Sequence, residues 1–238
     1  MKRSLFLLIF TLVTFLSHGQ KKPAYVIYTA KGKKVSYKKM MKTLDKKDII
    51  LFGELHNNAI AHWMQYEVNY KTDYAPLVDL AKKKQLPFIA TNIPRRYASM
   101  VNKNGFEILN KLSAEEKSWM APLPMPFDSE LPTYKNILAM MAGHGTPQLV
   151  EAQASKDATM AHFILENYQP NHTFMHYNGS YHSNHYEGIL WYLKRERNDL
   201  EYATIATVMQ DDLGKLLEEN KLMADFIICI DSNMTNTY

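Results

Sequence analysis

Short apolar runs recur along the chain, separated by segments with a helical pattern of apolar and polar residues. The runs cover residues 49–52, 88–90, 148–150, 173–177, 202–209 and 226–230. Continuous apolar strands that alternate with helices are typical of a parallel sheet covered on both faces. We therefore predict an α/β fold with a mostly parallel central sheet flanked by helices.

Helix start signals precede several of the segments between these runs. Asparagine and serine cap helices and proline suits a first turn, so we predict helices that start near Asn57 or Asn58, at Pro94 and at Ser155. We expect these helices to end near residues 70, 101 and 167. Residues 113–116 (Ser-Ala-Glu-Glu) have the pattern of a capping box.

The segment from residue 103 to residue 143 differs from the rest of the chain. Four prolines between residues 121 and 132 exclude an ordinary helix or a central strand there. A further helix over residues 133–142 is predicted to follow. We interpret residues 103–143 as an inserted helical subdomain, or lid, beside the sheet.

The amino terminus has the pattern of a secretory signal peptide. Lys2 and Arg3 precede an apolar run over residues 5–16, and a short polar stretch follows it. We predict a signal peptide over residues 1–20, a single domain over residues 21–238, and an exported protein that is periplasmic or secreted. Cys229 is the chain's one cysteine, so no lipobox follows the signal. We expect no lipoprotein and no stable membrane anchor after cleavage.

The charge balance argues against nucleic acid as a partner. The formal net charge is +4, and removal of Lys2 and Arg3 lowers it to +2. Nucleic-acid binders need clustered basic side chains to neutralise several phosphates. We therefore expect no nucleic acid as a partner, and a small-molecule or peptide ligand in its place.

Polar side chains follow the predicted strands at the points where the strands end. Because the carboxyl ends of parallel strands lie on one edge of a sheet, these side chains are predicted to share a crevice there. The predicted crevice residues are Glu54, His56, Asn92, Glu151, Gln153, Asn178 and His182.

Two Gly-x-x-His turns, at residues 53–56 and 179–182, carry the candidate chemistry. Glu54, His56 and His182 could bind a divalent transition metal and activate water, as in a metal-dependent hydrolase. Alternatively, Glu54 could orient His56 or act as a general base. His185 could face the same pocket from one helical turn beyond His182. The tyrosines and histidines of residues 177–186 could instead hold haem iron.

Four blocks in order resemble a known family, the ChaN-like haem-binding uptake proteins, relatives of the Tiki, TraB and erythromycin-esterase-like group. The blocks are residues 50–56, 90–96, 151–161 and 178–182 (ILFGELH, ATNIPRR, EAQASKDATMA and NGSYH). The resemblance implies an α/β core with a helical insertion, an envelope location, iron or haem acquisition, and a possible homodimer around haem.

The resemblance also implies a set of site residues. Its pocket candidates are Glu54, His56, Asn92, Arg95, Glu151, Gln153, Asp157 and His182. Tyr181 is the candidate haem-ligating tyrosine. Related Tiki-type proteins are metal-dependent proteases, which implies Glu54, His56 and His182 as a catalytic metal set. Two hypotheses therefore stay open, an exported haem-binding protein and a metal-dependent peptidase or esterase.

Overall fold

The computed structural model describes residues 23–55, 75–141 and 145–233. The predicted signal peptide, His56 and the predicted helix over residues 57–70 lie outside these described residues.

A five-stranded sheet organises the described chain. Three of its four pairings, β2 with β3, β2 with β4 and β4 with β5, are parallel, and β1 pairs with β5 antiparallel. The predicted α/β class with a mostly parallel sheet is therefore confirmed. In the sheet order β1-β5-β4-β2-β3, the strands are β1 (Tyr25–Thr29), β2 (Ile49–Glu54), β3 (Phe174–Gly179), β4 (Tyr202–Gln210) and β5 (Phe226–Asp231).

Both faces of the sheet are covered, as the continuous apolar strands require. Ile49 and Leu51 pack into the largest apolar cluster, with helices on one face. Ile50, between them in β2, packs with Met40 and Leu44 on the opposite face. Successive side chains of a strand point to opposite faces, so β2 is buried on both sides.

Seven helices surround the sheet in the described part of the chain. None of these helices is both long enough and apolar enough to cross a membrane. They are α1 (Tyr37–Leu44), α2 (Ala75–Lys84), α3 (Arg95–Asn104), α4 (Ala114–Lys117), α5 (Pro132–Met140), α6 (Pro147–Asn167) and α7 (Ile189–Glu196), with short 3₁₀ turns at Phe106–Lys111, Ser180–His182, Asn184–Tyr186 and Glu218–Asn220.

The helix start predicted at Pro94 is confirmed, whereas the start predicted at Ser155 is wrong. The helix α6 already begins at Pro147, and the Ser155 hydroxyl lies inside it and donates to the Ala152 carbonyl.

Pro94 precedes α3, and Pro132 occupies the first turn of α5. At α4 the Ser113 side chain accepts from the Glu116 backbone, and the Glu116 carboxylate accepts from the Ser113 backbone. The predicted capping box is confirmed.

The segment between α3 and α6 is built around aromatic side chains. Phe127 packs edge-on against Phe106, with ring centroids 5.5 Å apart, and in a tilted arrangement against Tyr134, with ring centroids 5.9 Å apart. Met120 and Met125, which lie just before and within the proline-rich stretch, are buried in the same apolar cluster as Ile49 and Leu51 of β2. The segment thus shares its core with the rest of the fold, and its function as a lid stays a prediction.

Two predicted strands do not form. Residues 148–150 lie in the first turn of α6, because Pro147 begins a helix and Val150 packs one turn from Ala154. A three-residue apolar run cannot by itself distinguish a strand from a buried helix. Residues 88–90 belong to no helix or strand, and Phe88 is 64% exposed.

Candidate functional site

A cleft of about 900 Å³ opens at the carboxyl edge of the sheet. Its walls are the ends of β2 and β3 together with one face each of α3 and α6. The volume lies within the range of small-molecule sites, roughly 300–1,000 Å³. Six predicted site residues line this cleft: Glu54, Asn92, Arg95, Gln153, Asn178 and His182.

Close backbone packing fixes the end of β2 beside the turn that follows β3. A Cβ on Gly53 would lie 3.0 Å from the Ser183 hydroxyl oxygen and 3.3 Å from the Ile205 carbonyl oxygen. The Thr207 hydroxyl donates to the Gly53 carbonyl and accepts from the Leu55 backbone N–H. Glycine at position 53 therefore permits the approach that places Glu54 at the cleft.

The two helical walls follow from helix periodicity. Arg95, Ser99 and Asn102 of α3 are spaced four and three residues apart and line the cleft together. On α6, Gln153 and Lys156 face the cleft one turn apart. Glu151 is two residues from Gln153 and lies on a different face of α6.

His182 is held by a buried carboxylate. Its ring Nδ1 lies 2.5 Å from Asp157 Oδ1, and the Gln153 amide lies 2.9 Å from the same nitrogen. The Tyr134 hydroxyl donates to Asp157 Oδ2 at 3.0 Å. Asp157 is 0% exposed, whereas the His182 side chain is 17% exposed. The imidazole thus reaches the cleft while its orienting partner stays buried.

Burial dominates the electrostatics of this pair. Desolvation raises the pKa of Asp157, and His182 and Tyr134 act in the opposite direction. Burial also raises the pKa of Tyr134, which keeps that hydroxyl a donor. With a carboxylate accepting its Nδ1–H, a neutral His182 carries its lone pair on Nε2.

Nε2 of His182 forms no hydrogen bond with the described residues. A histidine that donates one ring N–H to a carboxylate and keeps the other nitrogen free is typical of metal and haem-iron ligands. The same arrangement also suits a general base.

The second histidine of this region, His176, has hydrogen-bond partners in the protein for both of its ring nitrogens. The Asn178 amide donates to the Gly179 carbonyl and the Ser183 hydroxyl, so its oxygen accepts from His176 Nδ1 at 3.2 Å. His176 Nε2 then accepts from the Thr91 hydroxyl at 2.8 Å. Burial lowers the pKa of His176 to about 4, so it stays neutral.

The position of His182 depends on a glycine that follows it. Gly188 has a φ of +56°, and a Cβ there would lie 2.4 Å from the His182 carbonyl oxygen. Only glycine fits this conformation and this close approach without strain. The α7 start therefore packs directly against the His182 backbone.

Three predicted site residues lie away from the cleft. The Glu151 carboxylate accepts from the Phe106 backbone N–H at 2.9 Å. Tyr181 is 46% exposed, and its hydroxyl donates to the Met140 sulfur at 3.3 Å. His185 is exposed with a φ of +58°, because the two 3₁₀ turns do not continue as one helix.

Sequence analysis did not single out Lys156 and His176, although both line the cleft. Lys156 follows Gln153 by one helical turn, so a helix that starts at Pro147 would have indicated it. The His176 partners come from segments 85 and 2 residues away in the chain, and only the fold joins them.

Within residues 23–55, 75–141 and 145–233, no group of three or more His, Cys, Asp or Glu could hold a metal ion. The predicted metal set includes His56, which lies outside these ranges. The predicted metal-dependent hydrolase therefore stays a prediction.

Comparisons with known proteins agree with the fold. A family model described as haem-binding uptake, Tiki superfamily, ChaN matches residues 68–193, more than half of the chain. These residues include Asn92, Asp157 and His182 but exclude Glu54 and His56. A structure of cofacial heme binding to ChaN of Campylobacter jejuni is similar, with a TM-score of 0.57 and 15% identity. That match covers 86% of this chain and 96% of the other. A comparison with curated protein sequences finds no significant match.

Proposed function

Because this chain belongs to the ChaN haem-binding uptake family of the Tiki superfamily, we propose that it binds haem in the cleft at the carboxyl edge of its sheet. The observation that carries the proposal is the His182 imidazole, which Asp157 holds through Nδ1 while Nε2 has no hydrogen-bond partner among the described residues. In this proposal Nε2 would bind the haem iron.

The chemistry of the cleft fits this ligand. Neutral imidazole is a common axial ligand of haem iron, and a buried carboxylate partner orients the ring and raises its basicity. Ile93, Ala98 and Met160 supply apolar lining beside the polar groups, as sites for large, mostly apolar ligands require. The similar ChaN structure from Campylobacter jejuni is described as binding haem cofacially.

Haemin titration followed by visible absorption tests the proposal. Wild-type protein is expected to bind haemin saturably with a Soret band. His182→Ala is expected to weaken binding by at least about tenfold and to change the band, because the iron loses a protein ligand. Absence of saturable binding by the wild-type protein would contradict the proposed function.

Two matched variants test the ligand assignment. His185→Ala removes a neighbouring exposed imidazole outside the cleft and should leave the spectrum unchanged. Tyr181→Phe tests the tyrosine implied by the family resemblance. A spectrum that responds to Tyr181→Phe and not to His182→Ala would assign the iron to Tyr181 instead.

We further propose export and a function in haem or iron uptake at the bacterial envelope, supported by the signal-like pattern of residues 1–20. Mass spectrometry of protein from the periplasmic or secreted fraction should show a chain shortened near residue 20. A full-length chain confined to the cytoplasm would contradict export. A proposed haem-linked homodimer predicts a larger species by light scattering only after haemin is added.

A further inference from the structure

Two basic side chains from different helices line the cleft. Arg95 begins α3, and Lys156 lies midway along α6. Both line the same cleft, and their charges act on each other, since Arg95 contributes to lowering the pKa of Lys156. They come from different elements, so only the fold brings them together.

Lys156 is half-buried and unpaired within the described residues. Its ammonium forms no hydrogen bond or ion pair there, and burial lowers its pKa. The adjacent Asp157 carboxylate opposes the effect of burial on the Lys156 pKa, but its hydrogen bonds within the described residues are with His182 and Tyr134 and not with this ammonium. A partly desolvated ammonium without an acceptor is costly, and a bound anion would remove that cost.

The surroundings of the pair suit a carboxylate. Arginine presents a planar fork of donors that matches a carboxylate, and lysine adds a point charge. Ser99 and Asn102, on the same face of α3 as Arg95, supply further hydrogen-bonding groups. Among the described residues that line the cleft, the acidic one is Glu54 at the end of β2, and its charge adds to the effect of burial in raising the pKa of Tyr177.

We propose that Arg95 and Lys156 form a carboxylate-binding subsite for the ligand of this cleft. The inference rests on the proposed function, in which the carboxylates are the haem propionates. Lys156 lies one turn from Gln153, which contacts the His182 ring, so their β-carbons are about 5–6 Å apart. The same face of α6 thus contacts the proposed iron ligand, through Gln153, and contributes Lys156 to the proposed carboxylate-binding subsite.

Haemin and haemin dimethyl ester distinguish the subsite from iron ligation, because the ester keeps the iron but lacks the carboxylate charges. Wild-type protein is expected to bind haemin about 10- to 100-fold more tightly than the ester. Lys156→Met and Arg95→Met should each weaken haemin binding about tenfold and leave ester binding unchanged. The double variant should bind both compounds equally.

Matched controls are available beside each residue. Arg96 follows Arg95 but stacks over Tyr97 and Trp119 outside the cleft, so Arg96→Met should keep the preference for haemin. Exposed Lys103 is the corresponding control for Lys156.

The outcomes separate the two proposals. Equal affinity of wild-type protein for haemin and its ester, with Soret bands that depend on His182, would overturn the subsite and leave haem binding intact. Metal-free protoporphyrin IX tests the opposite case, because it keeps the carboxylates but lacks the iron. If it binds through Lys156 while haemin shows no ligation by His182, the subsite stands and the iron ligation fails. If no porphyrin binds, both proposals fail.

Discussion

Two aspartates at opposite ends of the sheet are built from similar parts but differ in their environment. Asp48 precedes β2 at the amino end and accepts from the Tyr168 hydroxyl at 2.6 Å. Asp157 lies on α6 near the carboxyl end and accepts from the Tyr134 hydroxyl at 3.0 Å. Tyr168, the residue after α6, thus supplies the partner of Asp48 at the amino end. The helix α6 itself carries Asp157 near the carboxyl end.

The pKa of each aspartate shifts in the opposite direction. The hydrogen bonds from Tyr168 and from the Glu201 backbone lower the pKa of Asp48. Burial raises the pKa of Asp157, which is fully buried and accepts from no backbone N–H of the described residues. Asp48 therefore stabilises the fold as an ordinary ionised group. Asp157 is held at a cost in solvation, which fits a residue that orients a ligand-binding imidazole.

The largest expected difference between the two ends is a loss of folding stability in acid, which His176 causes at the carboxyl end. His176 has a folded-state pKa of about 4, below the ordinary value of about 6.5 in the unfolded chain. As the pH falls below about 6.5, His176 becomes protonated in the unfolded chain but not in the folded protein. The free energy of unfolding therefore decreases from about pH 6.5 down to about pH 4. The linkage amounts to roughly 3 kcal/mol.

Urea unfolding at pH 7 and pH 4.5 measures this loss. His176→Gln should reduce the difference in unfolding free energy between the two pH values, because the buried titrating group is gone. His172→Gln, which removes an exposed imidazole at the start of the same region, should leave the difference unchanged. An equal pH dependence in wild type and His176→Gln would be inconsistent with a neutral buried His176.

The next effect concerns the function of Asp157. Asp157→Asn keeps the shape of the side chain but removes its charge, so His182 becomes a weaker ligand. We expect haemin affinity to fall about 10- to 100-fold, as for other partners of metal-ligating histidines. The iron–imidazole stretching frequency of the ferrous complex, measured by resonance Raman spectroscopy, should fall as well.

Glu151→Gln is the control on the same helix. Its carboxylate binds the Phe106 backbone and faces away from the cleft, so haemin affinity should not change. If Asp157→Asn lowered stability but left the iron–imidazole frequency in place, Asp157 would be a structural residue like Asp48.

The smallest effect lies at the amino end. Asp48→Ala leaves the Tyr168 hydroxyl and the Glu201 backbone N–H without their acceptor, at a cost of about 1 kcal/mol for this partly exposed group. Haemin affinity should stay within about twofold of wild type, since the site is at the other edge. Asp45→Ala, at an exposed position nearby, should change neither quantity. Loss of haemin affinity in Asp48→Ala would break the distinction between the two ends.

Local patterns in the chain determined four strands, the parallel class of the sheet and the edge at which the cleft opens. β2, β4 and β5 are apolar runs that become strands because their side chains must be buried on both faces, whereas β3 leaves Met175 and Tyr177 partly exposed. Glu54, Asn178 and His182 follow from the same logic, since a parallel sheet delivers its carboxyl ends to one edge. The capping box at Ser113 was equally local.

Only the tertiary structure decided which polar side chains meet. Asp157 and His182 are 25 residues apart in the chain, and their contact depends on how α6 crosses the sheet. The same crossing turns Glu151 away and brings Lys156 to the cleft that Arg95 also lines. A one-dimensional pattern records the period of each element, but the rotation of a helix about its axis is set by packing against its neighbours. For that physical reason the sequence indicated the edge, and the fold assembled the site.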